Sequence, residues 1–259
     1  MRLLNRIGIV TAGASGMGHA GAVRFAREGA AIAVVDIDAE RTAAVVRDIE
    51  AAGGRAVAIV GDLRDDDFTR SIADRTAEAL GGLDFVWNHA GHPGPARFED
   101  MPMDAFDEAM ALNVRSAVLI TQTAIPHMRS RGKGSVLYTA STSGLVGSPF
   151  SPVYSLAKFG LVGLARSLAK RHAKEGLRFN VICPGPTDTP MFRQFTRRPD
   201  TTAAHNQDIE AMVAQRGTAH VAGRLGKPEE VANAALFLLS DEASFVNGTA
   251  LTVDGGATA

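Results

Sequence analysis

The chain has 259 residues, 46% hydrophobic and 21% charged, a balance that excludes disordered and collagen-like classes. Its 27 lysines and arginines stand against 28 acidic residues, a formal charge of −1, so no basic footprint for nucleic acid or an anionic membrane is expected. The length fits one α/β domain, taken here as residues 1–259.

Short apolar runs alternate with amphipathic stretches from the first residues onward. Seven runs read as buried strands: Arg6–Thr11, Ala31–Asp36, Ala56–Gly61, Asp84–Asn88, Ser135–Ala140, Arg178–Cys183 and Ala250–Asp254. Near-continuous aliphatic character, rather than strict alternation, is what a sheet covered on both faces requires. Helical stretches lie between them, for example Ala39–Ala52 and Asp66–Leu80. Ser151-Pro152 predicts a helix start with a capping hydroxyl, and Lys227-Pro228-Glu229-Glu230 predicts another with an acidic first turn. The stretch 186–223, rich in Thr, Arg and Pro, is expected to form a lid rather than a linker. Alternation of strand and helix throughout predicts a doubly wound, Rossmann-type α/β fold on a seven-stranded parallel sheet.

The single cysteine, Cys183, rules out an intramolecular disulfide and a multi-cysteine metal site, which points to a cytoplasmic protein. The longest apolar runs, Ala30–Val35 and Ala234–Leu239, fall far short of the ~20 residues that span a bilayer. No metal centre is expected.

Thr11-Ala12-Gly13-Ala14-Ser15-Gly16-Met17-Gly18 follows the first strand and opens the first helix. Such a turn aims backbone N–H groups and a helix N-terminus at a pyrophosphate, with glycines where side chains would block it. Asp36 ends the second strand, where a carboxylate accepts from the adenosine ribose hydroxyls and repels a 2′-phosphate. The charge therefore favours NAD over NADP, with Arg41 close enough in sequence to soften the preference.

These residues resemble the short-chain dehydrogenase/reductase family, over about residues 5–256. Its TGxxxGxG turn corresponds to Thr11–Gly18, with Ala12 at the position of its usual first glycine, although alanine disfavours positive φ. Asp62-Leu63 matches the family's adenine-contacting pair. Asn88-His89-Ala90-Gly91 matches NNAG, with His89 in place of the second asparagine. Pro184-Gly185-Pro186-Thr187-Asp188-Thr189 matches PGxxxT, whose threonine holds the nicotinamide carboxamide. Tyr154-Ser155-Leu156-Ala157-Lys158 matches YxxxK, and Ser141 precedes it at the family's spacing. Asn113 completes the Asn-Ser-Tyr-Lys set. The resemblance, with Asp36 favouring NAD, implies an NAD-dependent oxidoreductase acting on a small to medium secondary alcohol or the corresponding ketone, assembled as a homotetramer.

The chemistry agrees with that spacing. Residues i and i+4 share a helix face, so Tyr154 and Lys158 address one bound molecule. The helix N-terminus and the Lys158 ammonium are expected to lower the Tyr154 pKa, fitting it to serve as general acid or base. Ser141 would steady the substrate oxygen. By resemblance, Asn113 supports a water-mediated proton path to Lys158. Two other readings remain open: an NADPH-dependent reductase like the 3-oxoacyl-carrier-protein reductases, and a dinucleotide-binding sensor without catalysis.

Tyr138, Trp87 and Cys183 are expected in the core. His89 reads either as a tolerated replacement or as part of the nicotinamide pocket, and His92 is placed beside the substrate. Arg193, Arg197 and Arg198 read as a solvated surface cluster in preference to an anion site. Phe150, Met191, Phe192 and Phe195 offer an apolar wall, or packing at a subunit contact.

Overall fold

The computed structural model describes residues 1–198 and 208–259. Seven strands form one parallel sheet: β1 (Ile7–Thr11), β2 (Ala31–Asp36), β3 (Arg55–Val60), β4 (Phe85–Asn88), β5 (Gly134–Thr139), β6 (Leu177–Pro184) and β7 (Ala250–Val253). Their order is β3-β2-β1-β4-β5-β6-β7. Strand bounds differ from those read in the sequence by a residue or so. β1, β4 and β5 are buried along their whole length, which is why their sequences show no polar alternation.

Helices cover both faces. On one side α1 (Gly16–Arg27), α2 (Ala39–Ala51) and α9 (Pro228–Leu239) bury Phe25, Val45 and Leu236 against Val10, Val34 and Trp87. On the other, α3 (Asp66–Leu80), α5 (Ser116–Ser130) and α6 (Pro152–His172) bury Ile72, Ile120 and Leu161 against Ile9, Val136 and Val181. A short α4 (Met103–Met110) runs into a π-helical turn, Ala111–Arg115, before α5. Local chemistry sets several boundaries. Asp65 caps α3 by accepting from the Asp67 and Phe68 N–H groups, and Gly81 ends it at φ 90°. Glu230 accepts from the Lys227 N–H at 2.7 Å at the start of α9.

The stretch 186–223 is not one loop. It contains α7 (Pro190–Thr196) and α8 (Ile209–Ala219), while part of the expected lid, residues 199–207, lies outside the described residues. Strand order reverses between β1 and β4, and helices leave on opposite faces there. The carboxyl ends of these strands therefore splay around a crevice, the usual place for a ligand in an open α/β sheet.

Candidate active site

Thr11 ends β1 at this crevice. Its hydroxyl accepts from the His89 and Ala90 N–H groups at 2.9 and 3.0 Å, tying β1 to the segment after β4. In the turn that follows, Ala12 sits at φ 50° and Gly16 at φ 52°. A Cβ on Gly13 would lie 2.8 Å from Val34, and one on Gly18 only 2.0 Å from the Ala12 carbonyl oxygen. The turn is thus pressed against its own strand and helix. Ser15 is the N-cap of α1 without a side-chain capping bond, so the first-turn N–H groups of Gly16, Met17 and Gly18 begin a helix that has no anionic first-turn side chain.

Asp36 ends β2 facing this turn, accepting from the Ala14 N–H at 3.1 Å and the Asp38 N–H at 3.2 Å. Arg41, expected to soften its charge, is held by Asp38 at 3.2 Å instead. Asp62 follows β3 and pairs with Arg64 at 2.7 Å, which holds its carboxyl below the usual range. Leu63 is buried beside it.

The Asn113, Ser141, Tyr154 and Lys158 side chains come from three different elements. Asn113 lies in the π turn, a widening that recurs at functional sites. Its amide donates to the Ala109 and His92 carbonyls at 2.9 and 3.0 Å, leaving Oδ1 buried without a partner. A Cβ on Gly91 would lie 2.5 Å from that oxygen and 3.2 Å from Lys158 Nζ, so only glycine leaves the space between them open. Ser141 begins a short 3-10 turn, and Gly144 in that turn packs on the Lys158 backbone. Tyr154 and Lys158 lie one turn apart on α6, both buried, with the ammonium 5.2 Å from the phenol ring centre. Lys158 donates to the Thr139 carbonyl at 2.9 Å.

Ser151 is the N-cap residue of α6, as predicted, but its hydroxyl does not cap. It accepts from Arg198 at 2.9 Å instead. The expected lowering of the Tyr154 pKa is also not found. Burial pushes the phenol up, and the Ser141 hydroxyl pulls it down only in part. Burial likewise brings Lys158 down to about 7, so a weakened ammonium offers little to the phenol.

His89 is buried with its ring against Trp87, and Thr139 Oγ1 receives Trp87 Nε1 at 2.8 Å and meets His89 Nδ1 at 3.0 Å. Burial, reinforced by Lys158, brings His89 down to about 3 and keeps it neutral. It lines the pocket, whereas His92 does not: His92 turns back on its own loop, accepting from Gly94 N–H at 3.1 Å. Tyr138, Trp87 and Cys183 are core residues. Asn88 donates to Thr121 at 3.2 Å beneath the crevice floor.

A cavity of about 290 Å³ opens over Ser141, Tyr154 and Lys158, with Pro184, Gly185, Thr187 and Thr189 on one side. Phe150, Met191, Phe192 and Phe195 form its apolar wall, and the Phe195 ring meets Tyr154 edge-on at 5.0 Å. The arginine cluster is not uniformly solvated, contrary to expectation. Arg197 is exposed, and Arg193 is tied to Asp188 and Glu210. Arg198 is only 8% exposed and lines the cavity together with Arg216, a residue with no sequence motif to mark it. A larger cleft of about 690 Å³ between α1, α2 and α9 contains none of Asn113, Ser141, Tyr154 or Lys158. No group of His, Cys, Asp and Glu suited to a metal occurs among the described residues, nor any helix long and apolar enough to cross a membrane.

A family model described as enoyl-(acyl carrier protein) reductase matches residues 11–258. The chain is 37% identical to cis-4-hydroxycyclohexanecarboxylate dehydrogenase of Sinomonas cyclohexanicum, covering 98% of this chain and 97% of that protein. It is similar in structure to a 7α-hydroxysteroid dehydrogenase complexed with NADH and 7-oxo glycochenodeoxycholic acid (TM-score 0.89, 33% identity, 99% and 95% covered). It is also similar to a short-chain dehydrogenase from Burkholderia cenocepacia J2315 in complex with NADP (TM-score 0.87, 34% identity, 100% of both chains). The chain belongs to the short-chain dehydrogenase/reductase family, and with it to the oxidoreductases that bind a nicotinamide dinucleotide.

Proposed function

We propose that this protein interconverts a secondary alcohol and its ketone with NAD(H), and that Tyr154 exchanges the proton with the substrate oxygen. The observation that carries the reading is the convergence of Ser141, Tyr154 and Lys158 on one cavity, with Asn113 Oδ1 facing Lys158 across Gly91, so that three separate elements supply the set. In the direction of reduction the Tyr154 phenol, which burial keeps protonated, gives its proton to the ketone oxygen, while Ser141 donates a hydrogen bond to that oxygen as charge develops on it. Lys158 relays the replacement proton to Tyr154. The orphaned Oδ1 of Asn113, facing Lys158 across Gly91, offers a water the acceptor it needs to continue that path.

The residues fit a dinucleotide. A turn with no room for side chains at Gly13 and Gly18, and an uncapped helix start at Ser15, suit a pyrophosphate lying across Thr11–Gly18. Asp36 would hold the adenosine ribose, with Asp62 and Leu63 beside the adenine. Asn88, Ala90 and Gly91 would flank the nicotinamide ribose, which Tyr154 and Lys158 address. Pro184, Gly185, Thr187 and Thr189 would receive the carboxamide. When bound, the nicotinamide supplies the hydride acceptor or donor, and the protein's own groups handle the proton.

Asp36 supports NAD. The acyl-reductase reading, with NADPH, is favoured by the family model's description and by the NADP-bound relative. The intact proton-transfer set argues against a non-catalytic sensor. The single cysteine supports a cytoplasmic protein, and the whole chain is read as one dinucleotide-binding domain with 186–223 over the pocket. Exposed Leu156 and Phe159 on α6 support the family's tetramer; a monomeric mass by light scattering would overturn it. Tyr154→Phe tests the main reading. Turnover is expected to fall at least about 100-fold, since one positioned acid or base is worth 10²–10⁴, with NAD(H) affinity retained. Turnover near that of the wild type would remove Tyr154 from the mechanism and revive the sensor.

A further inference from the structure

The cavity above Tyr154 has a one-sided charge. Its lining carries two arginines, Arg198 and Arg216, besides Lys158, and no carboxylate among the described residues. The chain as a whole has one more acidic than basic residue, so the imbalance belongs to this site and not to the composition. Apolar walls make such a charge felt more strongly, because they confine the field to the opening.

The two arginines are placed by aromatic rings. The Arg198 guanidinium lies 5.1 Å from the Phe195 ring centre, and that of Arg216 lies 5.9 Å from the Phe192 ring centre. Phe192 and Phe195 are three residues apart on α7 and so share a face. Phe195 is also the ring that meets Tyr154 edge-on. A molecule whose reacting oxygen touches Tyr154 would therefore run along the Phe192–Phe195 wall toward the guanidinium groups.

Neighbouring arginines are already neutralised. Arg193 is bridged by Asp188 at 2.6 Å and Glu210 at 2.7 Å, and Arg224 is paired with Glu230 at 2.6 Å. Arg216, on the same helix as Glu210, has no carboxylate within ion-pair distance among the described residues. Its planar donor fork matches a carboxylate with two parallel hydrogen bonds.

We infer that the substrate is a hydroxy or oxo acid, its carboxylate separated from the reacting carbon by an apolar ring or short chain, and that Arg216 is the residue that recognises the carboxylate. Arg198, which donates to the Ser151 hydroxyl and the Phe150 carbonyl, lines the same cavity. The inference rests on the alcohol–ketone reading above for the identity of the reacting group, but its anion site is testable apart from turnover.

Reduction of 4-oxopentanoate, 5-oxohexanoate and 6-oxoheptanoate is compared with that of their methyl esters, with NADH and NADPH as hydride donors. The best acid is expected to exceed its ester in kcat/KM by about tenfold or more, the worth of one charge-assisted pair. In Arg216→Gln that ratio falls toward one, chiefly through KM, and Arg216→Lys restores part of it. A ratio near one in the wild type, or one unchanged in Arg216→Gln, overturns the inference. In parallel, binding of benzoate and benzamide to the NAD-loaded protein is measured by calorimetry. Benzoate is expected to bind about tenfold tighter, with the preference lost in Arg216→Gln; equal binding overturns the anion site. Turnover of the esters without a preference for the acids would sink the acid inference and leave the alcohol–ketone reading standing. Benzoate selectivity without turnover of any ketone would do the reverse.

Discussion

Replacing Asp36 by asparagine isolates the charge that sets the choice between the two dinucleotides. The carboxylate is fixed by the Ala14 and Asp38 N–H groups at the end of β2, and asparagine keeps one oxygen for the turn while removing the charge. A 2′-phosphate on a ribose held there would lie roughly 4 Å away, where two unit charges repel by about 1 kcal/mol in water and about 4 kcal/mol near a protein surface. Asp36 is half-buried, which places the penalty at about 2 kcal/mol, or about 30-fold in affinity. Arg41 does not offset it, because Asp38 holds that cation at 3.2 Å. The wild type is therefore expected to bind NAD⁺ at least about 30-fold more tightly than NADP⁺, and Asp36→Asn to remove most of that ratio. The Asp36→Asn/Asp38→Asn double variant frees Arg41 for the 2′-phosphate and should narrow the ratio further. Calorimetric titration with both dinucleotides measures it directly. A thermal shift is the quicker version, since ligand at ~100 times its dissociation constant adds about 2.7 kcal/mol. Equal affinities in the wild type would refute the reasoning, as would an unchanged ratio in an Asp36→Asn protein of normal melting temperature.

Two further predictions concern stability. Ala12 is held at φ 50°, which costs an L-residue about 1–2 kcal/mol, while glycine gives back part of the gain through the unfolded chain. Ala12→Gly is thus expected to stabilise by about 0.5 kcal/mol, read as a rise in the urea midpoint at unchanged slope; destabilisation would show that the methyl packs too well to lose. Burial lowers the folded-state pKa of Lys158 to about 7 from an unfolded value near 10.5, so between these values the unfolded chain binds the extra proton and stability rises with pH. Without cofactor, Lys158→Met lacks that rise, so its stability relative to the wild type should decline from pH 7 to pH 9. Melting curves with the same pH dependence in both proteins would refute the assignment.

Much of this arrangement was legible because it is local. Buried parallel strands announce themselves as aliphatic runs, and the turn at Thr11–Gly18, the carboxylate at Asp36 and the pair Tyr154–Lys158 each sit within a few residues of the element that positions them. Spacing along one helix is enough to put Tyr154 and Lys158 on one face. Proton affinities were not legible in the same way. The sequence places a helix N-terminus and Lys158 beside the tyrosine, but burial of the phenol raises its pKa and only the Ser141 hydroxyl offsets this in part.

The wall of the pocket was decided by packing at a distance. Arg198 leaves its own segment to bind Ser151 and Phe150 on the other side of the cavity, taking the hydroxyl that the sequence assigns to a helix cap. Arg216 enters from α8 only because Phe192 of α7 carries its guanidinium. The orphaned oxygen of Asn113 depends on a π turn that no residue pattern predicts, and on Gly91 leaving the space in front of it. Residue type and short-range spacing thus determined the fold and its chemical groups. Which charges face the substrate, and which groups stay neutral, depended on contacts between segments far apart in the chain, because burial and charge pairing are properties of the packed whole.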